Sequence, residues 1–520
     1  MEERGDRRAA CAAVLGFLLP AAGTLWHVLQ RTSPPTWDDA WYLDTSFRLW
    51  DILVLQGPLD FLKAYGHAFR IKAPLIALLP FPFYALFGKG MVQALLVNLA
   101  SMLLASVFSY RIGRGLHSGF AGACAVWSVN LMPLLYGLSR VYYVECSLAA
   151  LTVAFMHFLL AGGSRWALGL LLGLGLLDKI TFPLYVLAPA LLLYRRGRTG
   201  RDWLLIGALG GALAATWYVF NWSWILRFAG SASVGATART YGSGTGLEPA
   251  LRYFAALAGE VGAGYHWALA GAALAFVWGR GTRAGGRRWL ETGAFAGWAI
   301  LPLLVLACSQ NRDVRYAAPA LAGASVGLGV LLAAALERAG RFRSLAAAAF
   351  LLYPGCLYWE QTTGWRLPLD PRGRNGATAL HWNGPPLREG RWGQEAVFES
   401  LAVEALAKTG RTTVVMGLDS RYFSASTGEY YAGLYRWPLR FLSVSKDRTA
   451  ESALKRVSDA DADFVVIAEG FPESELPGFL NRANEGLKDY LASGRFPFAV
   501  SGRHRLTNGA VVVVYRRLRP

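Results

Sequence analysis

Charge is what this chain has least of. Only 17% of its 520 residues are Asp, Glu, Lys or Arg, against about 25% in an ordinary soluble domain. That shortage excludes a simple water-soluble globule. Cysteine is scarce too: Cys11, Cys124, Cys146, Cys308 and Cys356 all lie in or beside apolar segments, and none follows Cys356. No pair has metal-ligand spacing, so the sequence offers neither a disulfide framework nor a zinc site. Glycine-rich phosphate loops and dinucleotide fingerprints are also missing. The N-terminus begins like a signal peptide, but its apolar run continues from Ala9 to about Leu29 without a small-residue cleavage site. It reads as a retained first helix.

Apolar sequence is what the chain has in excess. Hydrophobic residues make up 54%, and the mean hydropathy is +0.32. Runs of roughly twenty apolar residues, enough to cross a bilayer as a helix, recur through the first two-thirds. The chain is therefore expected to be an α-helical polytopic membrane protein. Its net charge of +18 could suit nucleic acid, but the arginines sit in short loops between apolar runs. That placement follows the positive-inside rule, and no nucleic-acid partner is expected. Arginine greatly outnumbers lysine, which points to a GC-rich bacterial genome.

Spans are expected near 9–29, 91–110, 118–137, 143–161, 166–178, 181–194, 203–222, 251–278, 290–308, 316–336 and 343–360, eleven in all. With the N-terminus inside, one face collects Arg111 and Arg114, then Arg165, then Arg195, Arg196, Arg198 and Arg201. The same face takes Arg280, Arg283, Arg287 and Arg288, and finally Arg338, Arg341 and Arg343. This holds only if the segment from Lys72 to Gly88, broken by Pro80 and Pro82, does not cross. It is read as a re-entrant or interfacial helix within a large first external loop, residues 30–90, which also carries an amphipathic segment at Ala40–Leu53. A tight external turn is needed at Asp178-Lys179. The expected domains are 1–361 in the membrane and 362–520 outside.

The tail differs in kind. A loop rich in Pro, Gly and Arg runs to Arg391, and a helix-like segment starts at Gln394. Short β-branched runs follow at Thr412–Met416, Phe464–Ile467 and Val511–Tyr515, with helical periodicity at Ala450–Arg456 and Glu473–Leu491. Strands alternating with helices predict a small α/β domain. Gly417-Leu418-Asp419 follows a strand without phosphate-loop glycines, which suits packing or acceptor docking.

Ionisable residues at the membrane margin are the candidates for chemistry, because burying them is costly. Asp38 and Asp39, in Trp37-Asp38-Asp39-Ala40-Trp41-Tyr42, suit either a solvated helix start or a base with an orienting neighbour. Glu145 follows Arg140, Tyr142 and Tyr143, and fits a helix-start ion pair or a second acid. Lys72 and Lys179 suit snorkelling or turn roles, or contact with a lipid-linked phosphate. Arg312 and Arg315, around Asp313 and before Tyr316, form a compact external cationic group.

Together these pieces resemble the GT-C superfamily of polytopic glycosyltransferases, nearest the protein O-mannosyltransferases and the lipid A aminoarabinose transferases. Asp38-Asp39-Ala40-Trp41-Tyr42 is similar to that family's acidic pair before a Tyr. Lys72-Ala73-Pro74-Leu75 through Leu86-Phe87-Gly88 is similar to its Lys/His-Pro-Pro-Leu segment ending in Leu-Phe-Gly, and Glu145 to its later external acid. Gly173-Leu174-Gly175-Leu176-Leu177-Asp178-Lys179 and Arg315-Tyr316-Ala317-Ala318-Pro319 are similar to two further family segments. Asp39 stands where Glu is commoner, and Ala73 where the first Pro would be. The likeness covers residues 10–330 and leaves the tail without a named motif.

The resemblance implies transfer of a hexosyl or pentosyl group from a polyprenyl-phosphate donor to a lipid, glycan or protein acceptor. The site would be the outer face of a bacterial cytoplasmic membrane. Asp38 would be the base, with Asp39 and Glu145 orienting it or the acceptor. Lys72, Lys179, Arg312, Arg315 and Tyr316 would hold the donor phosphate. No cofactor is obligatory and no metal site is assigned, although a divalent ion between Asp38, Asp39 and the phosphate is compatible with these ligands. The competing readings are a transporter, which would place its ionisable residues deep inside broken helices, and a non-catalytic scaffold for envelope glycans.

Overall fold

The computed structural model describes residues 2–194, 198–233, 235–242, 244–259, 286–336, 342–365, 393–407, 410–447, 449–471, 480–494 and 496–518. Several expected features lie outside them: Arg195, Arg196, Arg280, Arg283, Arg338 and Arg341, the 251–278 span beyond Gly259, most of the 362–391 loop, and the start of the 473–491 periodicity. The chain divides into two compact units. The first is Met1–Leu29, Pro58–Phe83 and Val92–Pro386; the second is Gln30–Gly57, Tyr84–Met91 and Leu387–Pro520. Besides the tail, the second unit takes in two earlier segments, Gln30–Gly57 and Tyr84–Met91.

The first unit is helical. Among the described residues, four helices are long and apolar enough to cross a membrane, within Asp6–Gln30, Met91–Leu116, Gly200–Arg239 and Val314–Leu336. Shorter apolar helices accompany them at Val144–Leu160, Phe182–Leu192 and Gly293–Cys308. The span expected at 118–137 is two helices, Gly119–Asn130 and Pro133–Leu138. Pro133 lacks an N–H to continue the first helix but suits the first turn of a new one. The Lys72–Gly88 segment is broken as expected, into Leu75–Leu78 and Phe81–Phe87.

Helix Arg165–Asp178 ends and Phe182–Leu192 begins within three residues, which gives the tight turn expected at Lys179. Gly175 makes that turn possible. The Phe182 ring lies against its backbone so closely that an added Cβ would come within 2.5 Å of it.

In the second unit a five-stranded sheet runs in the order β2-β1-β3-β5-β4, with β1 Thr412–Met416, β2 Leu439–Ser443, β3 Phe464–Glu469, β4 Phe498–Arg505 and β5 Val511–Arg517. β1 is parallel to β2 and β3, whereas β5 is antiparallel to β3 and β4. Val415, Val465, Ile467 and Val513 pack against Leu454 and Leu487 from the helices to form the core. β2 and β4 are additions to the three expected strands. β4 is an edge strand whose side chains are mostly exposed, so its polar sequence carries little strand signal.

Helix Trp37–Leu55 packs on helix Ala425–Tyr435 within this unit. The two approach closely at Gly433, where an added Cβ would lie 2.8 Å from Asp44 Oδ1. Gly433→Ala should therefore destabilise the chain by about 1–3 kcal/mol through overpacking. Gly207, where an added Cβ meets nothing, is the control: its change to Ala should be neutral or stabilising, as in an ordinary helix. Thermal unfolding of the detergent-solubilised protein distinguishes the two.

Candidate active site

Glu145 is the centre of a polar cluster in the first unit. It sits in the first turn of helix Val144–Leu160 and is only 1% exposed. The helix start favours a carboxylate there, but burial demands a cation as well. Two come from segments far along the chain. Lys179, the residue that ends helix Arg165–Asp178, donates from Nζ to Glu145 Oε1 at 2.7 Å. Arg315, in the 3-10 turn Val314–Ala317, brings Nε to 3.7 Å of the same oxygen.

Aromatic rings wall the cluster. Lys179 lies 4.1 Å from the Tyr316 ring centre, and Arg315 lies 4.8 Å from that of Tyr143. Asp313 pairs with Arg315 at 2.9 Å and accepts the Arg315 backbone N–H at 3.1 Å, which shapes the turn. The Tyr185 hydroxyl, donating to the Tyr316 carbonyl at 2.7 Å, pins it. Next to Lys179, the buried carboxylate of Asp178 accepts from Ser147 Oγ at 2.9 and 3.0 Å. The second oxygen of Glu145 is buried and has no hydrogen-bond partner among the described residues. Such a group costs about 1–3 kcal/mol. Cations held in so dry a setting form stronger charge-assisted bonds than they would in water.

Lys72 lies on an irregular stretch moored at both ends. Trp217 Nε1 donates to the Ala68 carbonyl at 3.0 Å and Asn221 Nδ2 to that of Gly66 at 2.7 Å. The Tyr142 hydroxyl donates to the Ile76 carbonyl, so the Lys72 segment is tied to the strand of chain leading into Glu145. Just before Lys72, Phe69 and Arg70 adopt φ of 56° and 60°, a left-handed pair costing roughly 1–2 kcal/mol per residue. Arg312 behaves differently from Arg315: it donates to the backbone carbonyls of Ala307 and Gly244 at 2.7 and 2.8 Å.

Asp38 and Asp39 belong to the second unit. Both occupy the first turn of helix Trp37–Leu55, after Thr36, whose side chain makes no capping bond. Asp39 is 1% exposed and pairs with Arg31 at 3.5 Å; Asp38 is half-buried. Trp37 Nε1 donates to Asp419 Oδ1 at 2.6 Å, so the Gly417-Leu418-Asp419 motif anchors this helix start. Burial raises the Asp419 carboxyl above its usual range, against the pull of Trp37, Ser445 and Lys446. Further along the helix, Arg48 joins Asp44 and Glu429, while Lys89 and Arg436 both bind Asp51. Burial pushes Asp44 up to about 7, opposed by Arg48 and assisted by Glu429.

Solved structures share this architecture over most of the chain. The crystal structure of ArnT from Cupriavidus metallidurans bound to undecaprenyl phosphate matches 96% of this chain and 97% of its own, at TM-score 0.54 and 16% identity. AglB, the oligosaccharyltransferase from Archaeoglobus fulgidus in complex with an inhibitory peptide and a dolichol-phosphate, matches 87% of this chain and 69% of its own, at TM-score 0.51 and 13% identity. The arabinofuranosyltransferase AftD from Mycobacteria matches 99% of this chain and 40% of its own, at TM-score 0.51 and 15% identity. The chain has the GT-C fold. No protein-family profile matches it, and no curated protein does.

Within this fold the structure brings Glu145, Lys179, Arg315 and Tyr316 together in one cluster. Sequence reasoning missed Asp178, Ser147, Tyr143 and Tyr185 as its supports. Asp178 carried a signal, an acid beside Lys179 at the end of an apolar run. The hydroxyl groups carried none, because Ser and Tyr are ordinary residues in such helices.

Two outcomes follow from these geometries. Lys179→Met leaves Glu145 with a single, longer cation contact and should cost about 3–5 kcal/mol. Adding Glu145→Gln should restore much of that loss, as read by thermal unfolding in detergent. Asp44 holds its proton to about pH 7 when folded, against 3.8 for an ordinary Asp. The folded state therefore binds more protons between those values, and stability falls as pH rises through that window. The melting temperature of wild type relative to Asp44→Asn should decline from pH 4 to pH 8.

Proposed function

We propose that this chain is an integral-membrane glycosyltransferase that moves a sugar from a polyprenyl-phosphate donor to an acceptor at the outer face of a bacterial inner membrane. The observation that carries this reading is the convergence of Lys179 and Arg315, walled by Tyr143 and Tyr316, on one buried acid. Undecaprenyl phosphate in the ArnT structure and dolichol-phosphate in the AglB complex support a lipid-phosphate donor.

In the proposed reaction Asp38 takes the proton from an acceptor hydroxyl or amine. The acceptor oxygen or nitrogen bonds to the anomeric carbon as the bond from that carbon to the phosphate oxygen breaks. Negative charge then grows on the departing lipid phosphate. Lys179 and Arg315, with Lys72, stabilise it, which is the main requirement for so good a leaving group. Tyr316 frames the phosphate. Arg312 acts indirectly, through the carbonyls that fix the start of the Arg315 turn. Asp39 and Glu145 orient the base and the cations. No obligatory cofactor enters this scheme, and a divalent ion between Asp38, Asp39 and the phosphate is tested with EDTA. The proposed topology has eleven spans, the N-terminus in the cytoplasm and the tail outside. Lipid, glycan and protein acceptors all fit the reaction.

Purified protein supplied with radiolabelled polyprenyl-phosphate sugars should transfer or hydrolyse at least one of them. Asp38→Asn should abolish that activity while the protein still inserts and folds. Absence of turnover with every donor would favour a transporter or scaffold, and full activity in the variant would remove Asp38 from the base role. A reporter fused after residue 365 should score as periplasmic.

A further inference from the structure

A cleft in the second unit has the chemistry of a separate ligand site. It is an open cleft between helices Trp37–Leu55 and Ala425–Tyr435 with a volume of about 320 Å³, at the small end of the roughly 300–1,000 Å³ usual for ligand pockets. Trp41, Asp44, Arg48, Ser426, Glu429 and Phe441 line it. Trp41, Asp44 and Arg48 are three and four residues apart, so they share one helix face.

Its polar groups are fixed before any ligand arrives. Arg48 donates from Nε to Asp44 Oδ1 at 2.6 Å and from a second nitrogen to Glu429. The other Glu429 oxygen accepts the Phe441 backbone N–H at 2.7 Å. After these bonds Asp44, more than nine-tenths buried, still has Oδ2 without a hydrogen bond from any described residue. Ser426 and Arg48 line the same cleft. Above about pH 7, where Asp44 is ionised, Arg48 and nearby Arg411 balance Asp44 and Glu429. That balance gives no advantage to an anion.

We propose that this cleft binds one uncharged sugar ring, with its C–H face on the Trp41 and Phe441 side and its hydroxyls on Asp44, Arg48 and Ser426. Sugars combine an apolar face with a rim of groups that both donate and accept, and this lining pairs aromatic surface with one acceptor, one donor and one hydroxyl. Asp38 lies one turn before Trp41 on the same helix, so the site would hold a glycan beside the proposed base. Binding here is independent of the transfer reaction, and a catalytically inactive chain would retain it.

The test uses the full chain in detergent and a panel of methyl glycosides of common hexoses and pentoses, read by saturation-transfer NMR and calorimetry. At least one glycoside should bind, and Trp41→Ala should weaken it at least tenfold. Ser426→Trp, which fills the cleft from a half-buried position, should do the same and serves if Trp41→Ala fails to fold. Asp38→Asn should bind normally even where transfer is lost. Failure of every glycoside to bind, or binding undiminished in Ser426→Trp, would overturn the proposal. Tighter binding of inorganic phosphate or glucosamine than of any neutral glycoside would overturn it as well.

Discussion

A single carboxylate withdrawn from water sets the arrangement of polar groups in the first unit. Glu145 is placed by the start of an apolar helix, and its burial is tolerable only with cations at hand. Those cations cannot come from helix interiors, where their neighbours face lipid or packed side chains. They come from the places where helices stop: the turn after Asp178 and the 3-10 turn before Ala318. Gly175, Tyr185 and Asp313 exist in this scheme to fix those stops. The rings of Tyr143 and Tyr316 keep the dielectric low, so that each charge acts at longer range than it would in water.

The second unit solves a similar problem with a different layout. Asp44, Arg48 and Asp51 recur along helix Trp37–Leu55 at helical spacing; Arg48 pairs with Asp44 and also reaches Glu429, and Asp51 meets Lys89 and Arg436. A polar stripe that would suit a solvated face is instead used as packing surface. This leaves Asp39 buried against Arg31 while Asp38 keeps more exposure, a division of the acidic pair between structure and availability.

Much of this was legible because membrane proteins put their costly residues at helix ends. Lys179, Glu145 and Arg315 all stand at the edges of apolar runs, and the turn at Lys179 follows from two runs too short to be joined otherwise. The break at Leu131-Met132 was hidden because Pro133 sits in a run whose hydrophobicity does not falter. Arg312 and Arg315 look alike in sequence, and only backbone geometry sends one to carbonyls and the other to Glu145. β2 and β4 were hidden for opposite reasons: the first is short and follows Pro438, and the second is a polar edge. The affiliation of residues 30–57 with the tail left no local trace, since a contact between distant segments imposes no periodicity on either.

That affiliation bears on the order of synthesis. Trp37 emerges early and its hydrogen-bond partner, Asp419, is 382 residues further on. Domains usually fold as they emerge, N-terminal parts first, but this helix must wait for nearly the whole chain. Until the tail is made, Arg48 lacks Glu429, Asp51 lacks Arg436 and Trp37 lacks Asp419. A chain truncated before the sheet would keep the Glu145 cation cluster, yet helix Trp37–Leu55 would lack its partners from the tail.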